Sequence, residues 1–143
     1  MKQTIAIGCD HAGYQYRQAI IDMLSDAYNI IDHGTKSADS VDYPDFAKPV
    51  CKSVIEGDAF CGILLCGTAN GVCMTANKFS EIRAGLAWTK EIGAIIKQHN
   101  NANELCIPAR YTAIQQAKSI VKTYLNTPFE GGRHERRINK ICI

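Results

Sequence analysis

The residue of this chain best placed to do chemistry is a cysteine that ends an apolar run and begins a loop of small residues. Cys66 closes Phe60 to Cys66 (FCGILLC), and Gly67-Thr68-Ala69-Asn70-Gly71 follows it. Small residues between a buried strand and a helix N-terminus let backbone N–H groups point into a pocket, where they stabilise an anion or a developing oxyanion. No Lys-Ser/Thr pair follows and the spacing is not G-x-G-x-x-G, so a nucleotide cofactor has no support here. A thiol facing a helix N-terminus is lowered from roughly 8.5 toward neutrality, which makes Cys66 a candidate base. The competing reading is a cysteine that simply packs in the core, and that reading is assigned to the other six, at 9, 51, 61, 73, 106 and 142.

Three further groups have the right chemistry. Asp10 and His11 end the first apolar run; they either bind a polyhydroxylated ligand or serve as a helix cap beside a surface histidine. His99 and Asn100 follow an amphipathic segment as a proton donor and a hydroxyl binder, or as a histidine answering a helix dipole. Arg133 and Arg137 stand i, i+4, with Arg136 and Lys140 as a second such pair. Two guanidiniums on one helical face form a fork for a phosphate dianion. A solvated basic tail is the alternative, and Gly131-Gly132 just before it favours a built feature. Asp42-Tyr43, beside Pro44, reads as turn chemistry and stays outside the site.

These residues need elements to position them. Thr4 to Cys9, Asn29 to Asp32, Phe60 to Cys66, Arg83 to Trp88 and Glu104 to Pro108 read as strands. They alternate with helical patterns at 15–27, 46–56, 72–78, 90–98 and 112–125, with Asp45 as an N-cap. Strands too apolar to face water imply a Rossmann-like, doubly wound, five-stranded parallel sheet in three layers. Ligands of such sheets bind at the carboxyl ends of the strands, near a switch point. The tail, about 128–143, adds a C-terminal helix whose Ile138, Ile141 and Cys142 need covering, so a homodimer is expected.

With 143 residues, the chain is read as one domain. A net charge of +2 excludes a nucleic-acid footprint spread over the surface, and no apolar run is long enough for a membrane span. Seven cysteines, an odd number, behind an N-terminus lacking a secretory pattern, point to reduced thiols in a cytoplasm. There is no C-x-x-C pair and the four histidines are scattered, so neither a zinc site nor a thiol-redox protein is expected.

Six motifs in this order resemble the sugar-phosphate isomerases of the ribose-5-phosphate isomerase B and galactose-6-phosphate isomerase family, nearly end to end. They are Gly8-Cys9-Asp10-His11-Ala12-Gly13, Asp42-Tyr43-Pro44-Asp45-Phe46, Gly62 to Thr68, Ala76-Asn77-Lys78, His99 to Asn103 and Phe129 to His134. The resemblance, nearest to the ribose type, implies an aldose-ketose isomerase of the pentose phosphate pathway without metal or cofactor. Cys66 would be the proton acceptor and His99 the group that protonates the ring oxygen. Asp10, His11, Asn100 and Arg110 would contact the sugar phosphate. Gly67, Thr68, Ala69, Asn70 and Gly71 would hold the enediolate, and Arg133 and Arg137 the phosphate, with His134 a neighbour. It further implies a dimer with shared active sites, the segment carrying His99, Asn100 and Arg110 coming from the second subunit; dimer and dimer of dimers both stay open.

The residue types suit that reaction. Moving hydrogen between two sugar carbons needs a base for a weakly acidic C–H, donors for the enediolate and an anchor for the phosphate. Two departures stand out. Many members have Gly-Thr-Gly-x-Gly in the third loop, so Ala69 is expected to avoid a backbone conformation that favours glycine. One branch uses a glutamate just after the loop where this chain has Val72, which leaves Cys66 as the evident base. Alternatives are a hexose 6-phosphate isomerase of allose or galactose type, and a non-catalytic sugar-phosphate-binding module.

Overall fold

Strands that are apolar at consecutive positions have only one stable place, the middle of a sheet covered on both faces. β3 (Cys61–Cys66) and β5 (Glu104–Pro108) are buried at every residue, and β1 (Thr4–Cys9) at all but its first. β2 (Asn29–Asp32) and β4 (Ala84–Leu86) are only part-buried and form the edges of a five-stranded sheet of order β2-β1-β3-β5-β4. All pairings are parallel. The structure, a computed structural model, describes residues 1–141; Cys142 lies outside the described residues.

Side chains alternate across each strand and so divide between two cores. Ile5, Ile7, Ile63 and Leu65 face α1 (Tyr14–Leu24), α4 (Lys90–Gln98) and α5 (Ile114–Asn126). Ala6, Leu64 and Cys66 face α2 (Pro44–Ile55) and α3 (Asn70–Ala76). The result is the expected three-layer doubly wound fold. The chain leaves β1 first to one side and then to the other, so the crevice above β1 and β3 is a switch point, with Asp10 and Cys66 at its lip. A sixth helix, α6 (Arg133–Ile138), lies outside the layers. Among the described residues no helix is long and apolar enough to cross a membrane.

Boundaries moved where turn chemistry intervened. A 3-10 turn over His11–Gly13 precedes α1, which stops at Leu24. Asp45 is not the N-cap of α2: Pro44 opens that helix, and Asp45 sits in its first turn, where a carboxylate complements the dipole. The tail helix spans only six residues, with Ile138 half-buried and Ile141 58% exposed.

Gly13 sets the spacing at the crevice. A Cβ there would lie 2.5 Å from the Leu65 carbonyl oxygen and 2.7 Å from its carbon, so the first turn rests directly on the β3 backbone. Gly13→Ala is expected to lower stability by about 1–3 kcal/mol through overpacking, measured as a reduced midpoint in chemical denaturation; an unchanged midpoint would show slack between turn and strand.

Candidate active site

Asp10 leaves β1 buried to 5% exposure and joins three pieces of backbone. Its Oδ1 accepts hydrogen bonds from the N–H groups of Ala12 at 2.9 Å and Gly13 at 3.2 Å, and its Oδ2 accepts the Cys66 thiol at 3.1 Å. Both sequence readings of Asp10 therefore have support: the residue is a cap and also faces the candidate base. Next to it, His11 Nδ1 accepts the Val41 N–H at 3.2 Å, which leaves the Nε2 as the protonated nitrogen of the neutral ring.

The thiol differs from expectation. Burial pushes Cys66 up to about 11, assisted by the hydrogen bond and charge of Asp10; the N–H groups of Ala69 and Gly67 pull the other way and lose. Cys66 is a protonated thiol at neutral pH, whose hydrogen points at a carboxylate. Loop approach to a helix start is a weaker force here than removal from water and a nearby negative charge.

Ala69 also overturns an expectation. Its backbone is left-handed, φ 61° and ψ 2°, the region that favours glycine. The surroundings hold it there: the methyl is fully buried, its carbonyl accepts Cys73 N–H at 3.1 Å, and Thr68 Oγ1 accepts Asn70 N–H at 3.3 Å. Gly71 follows under the Tyr43 ring, whose Cζ would lie 2.4 Å from an added Cβ. Tyr43, set aside from sequence as turn chemistry, thus forms one wall of the loop.

Arg110 lies close to the loop. Its N–H donates to the Gly67 carbonyl at 3.1 Å, and its Cδ and Nη1 would lie 3.3 and 3.4 Å from a Cβ at Gly67. β5 pairs with β3 in one chain, so Arg110 stands beside the thiol loop of its own subunit.

His99 and Asn100 lie elsewhere, at the end of α4. With His134 and Arg137 they line a cavity of about 280 Å³. Arg133 begins α6 one turn before Arg137. The rings of His99 and His134 stack at 4.2 Å and 8°. Glu130, which the sequence reading passed over, puts its carboxylate 3.9 Å from His99 Nε2 and 3.6 Å from His134 Nε2. The spacing of four between Glu130 and His134 was the available signal, hidden by the two glycines between them.

The two groups of residues occupy opposite ends of the strands. Gly62 N–H donates to Asn103 at 2.9 Å, so the His99–Asn103 segment is level with the start of β3. Cys66 is four residues further along, about 13 Å at roughly 3.3 Å per residue. One chain does not bring its own Cys66 and His99 together.

Five of the remaining cysteines follow the packing reading to different degrees. Cys9, Cys51, Cys61 and Cys106 are buried, with Cys9 pushed up to about 11 and Cys61 to about 12 by desolvation. Cys73 is half-buried, and the neighbouring Cys106 thiol holds it below its ordinary value.

The fold and its side chains define a class: a doubly wound α/β enzyme with a thiol–carboxylate pair and a small-residue loop at the switch point, and a cluster of histidines and arginines at the opposite ends of the strands. The chain belongs to the Ribose/Galactose Isomerase family, which it matches over residues 5–141. It is 38% identical over 140 residues to ribose-5-phosphate isomerase B of Escherichia coli, covering 97% of this chain and 94% of that protein. The ribose 5-phosphate isomerase of Thermotoga maritima superposes with a TM-score of 0.95 at 44% identity, covering 99% of this chain and 98% of that one. The Mycoplasma genitalium ribose-5-phosphate isomerase B with bound ribulose-5-phosphate gives 0.93 at 41% identity, covering 99% and 95%.

Asp10→Asn keeps the cap acceptor but removes the charge beside the thiol. Alkylation of Cys66 by iodoacetamide, followed across pH by mass spectrometry, is expected to show a titration near 11 that moves down in the variant. An unmoved midpoint would leave burial as the sole cause.

Proposed function

We propose that this protein interconverts ribose 5-phosphate and ribulose 5-phosphate through an enediolate, at sites built from two copies of the chain. The observation that carries the reading is the Cys66 thiol hydrogen-bonded to Asp10 at 3.1 Å over the Gly67–Gly71 loop. It is supported by membership of the family and by the ribulose-5-phosphate bound to the Mycoplasma genitalium relative.

The steps follow from the groups present. His99 donates a proton to the ring oxygen as the C1–O bond breaks, and the C1 hydroxyl releases its own proton as the aldehyde forms, which reloads His99 through solvent. Cys66 passes its thiol proton to Asp10 and, as thiolate, takes the proton from C2. Negative charge then develops on the sugar oxygens, where the loop N–H groups stabilise it. The thiol returns the proton to C1, the hydroxyl proton moves between O2 and O1, and Asp10 hands its proton back to the sulfur, so no atom is gained or lost. Arg133 and Arg137 hold the phosphate with Arg110 and His11 nearer the sugar end; binding a non-reacting group this way fixes the carbons against the sulfur. No step calls on a metal or a cofactor.

Shared sites follow from the distance between the halves. A twofold dimer can set the Cys66 side of one copy against the His99 side of the other, and it does so twice. Exposed apolar side chains border both halves: Met74 at 68% and Tyr43 at 40% beside the loop, and Ile141 at 58% beside α6. This reading places the protein among the reduced thiols of a cytoplasm, where the six free cysteines described here would persist.

Turnover of ribose 5-phosphate is expected to exceed that of allose 6-phosphate and galactose 6-phosphate and to survive chelator. Absence of turnover on all three would end the enzyme reading. Cys66→Ala and His99→Ala are each expected to lose nearly all activity. Unfolded and refolded together as an equal mixture, they should regain about a quarter of wild-type activity, because half the dimers are mixed and each mixed dimer has one intact site. A mixture as inactive as its components would place each site within one chain.

A further inference from the structure

We propose that His99, Glu130 and His134 form a binding site for a divalent transition-metal ion of the zinc class, and that filling it shuts down the half-site that contains His99. Two imidazole nitrogens and one carboxylate oxygen, all within 4.8 Å of one another, are the ligand types that zinc selects. His134 is the fixed member. It is 5% exposed, and its Nε2 is buried with no hydrogen-bond partner, so it is an imidazole nitrogen aimed into the cluster and left unused by the fold. The 3.6 Å from this atom to Glu130 is too long for a hydrogen bond.

The backbone is arranged to converge these groups. Glu130 N–H donates to the Gln98 carbonyl at 3.0 Å, which pins the tail beside the end of α4 and therefore beside His99. Gly131 at φ 74° and Gly132 at φ 60° then turn the chain through the left-handed region, so that α6 returns His134 to the same point. The stacked rings present both Nε2 atoms toward one carboxylate. Zinc bonds of about 2.0–2.2 Å require the donors to close to roughly 3.3 Å from one another. His99 and Glu130, with side chains 39% and 57% exposed, are free to make that movement.

Charge sets the strength and the selectivity. Two neutral imidazoles and one carboxylate leave a bound dication with one net positive charge, facing Arg133 and Arg137. That repulsion weakens the site, and an anion or water completes the coordination. Magnesium, which prefers six oxygen ligands, is excluded. A metal on His99 occupies the nitrogen that would carry a proton to the sugar ring. That inhibitory consequence rests on the proposed isomerase function; the metal site itself does not.

The experiment uses the full chain, stripped with chelator. Cobalt(II) is expected to bind with the visible absorption of a tetrahedral nitrogen and oxygen site and without the near-ultraviolet band of a cobalt thiolate. Zinc at micromolar concentration is expected to reduce turnover at least tenfold, reversibly with chelator, whereas magnesium has no effect. Glu130→Gln, read against its own metal-free turnover, should need at least tenfold more zinc for the same fractional inhibition, and it should lose the cobalt spectrum. His134→Ala, read by cobalt absorption alone, should lose it as well. No cobalt spectrum in the wild type, a thiolate band, or unchanged cobalt binding in both variants would overturn the site. A normal cobalt spectrum in a chain that turns over no sugar phosphate would instead refute the isomerase reading and leave the metal site standing.

Discussion

The Asp10 carboxylate is the constraint on which the rest of the crevice depends. One oxygen accepts the two N–H groups that start the turn into α1, and the other accepts the thiol at the end of β3. The end of the first strand, the first turn and the third strand thereby become one rigid piece. Gly13, pressed against the Leu65 carbonyl, leaves no room for a different separation. This closeness has an electrostatic side. The charge that satisfies the turn also opposes ionisation of Cys66, so the thiol remains a stored acid until something takes its proton.

The opposite end of the strands is built on different principles. Its side chains come from the end of α4 and from a short helix after the last layer, joined by a backbone hydrogen bond from Glu130 to Gln98 and by the stacking of two imidazoles. Few apolar contacts are involved, and the cationic side chains stay in water. A parallel sheet places the ends of its strands and the starts of its strands on opposite sides, and among the described residues Cys66 and His99 stay on different ones. Division of the chemistry between two sides is thus a property of the topology.

Much of this was legible in the sequence. Continuous apolar strands alternating with helical periods implied the sheet, and the switch-point rule directed attention to Asp10 and Cys66. What escaped depended on three-dimensional proximity. The raised thiol pKa comes first from burial and then from Asp10, a partner 56 residues away in sequence, and neither is visible in local spacing. The nearness of Arg110 to the Gly67 loop of its own chain depends on strand order, with β5 beside β3, which spacing does not reveal. Tyr43 looked like turn chemistry until Gly71 was found beneath its ring, and Glu130 gained meaning only when two left-handed glycines folded the tail back. Asp45 was displaced as a cap by the proline before it, whose fixed φ suits a first helical position.

Ala69 gives the loop a property that a glycine would not. Glycine in that position explores many conformations when the chain is unfolded, whereas alanine explores fewer, an entropic saving of about 0.4–1 kcal/mol. Against it stands the cost of left-handed backbone, about 1–2 kcal/mol. The cost exceeds the saving by about 1 kcal/mol; the buried methyl and the hydrogen bonds at Cys73 and Asn70 hold the residue there, so the dipoles of the loop are oriented before any ligand arrives. Reorganisation energy that a softer loop would spend during each turnover is here spent once, when the protein folds.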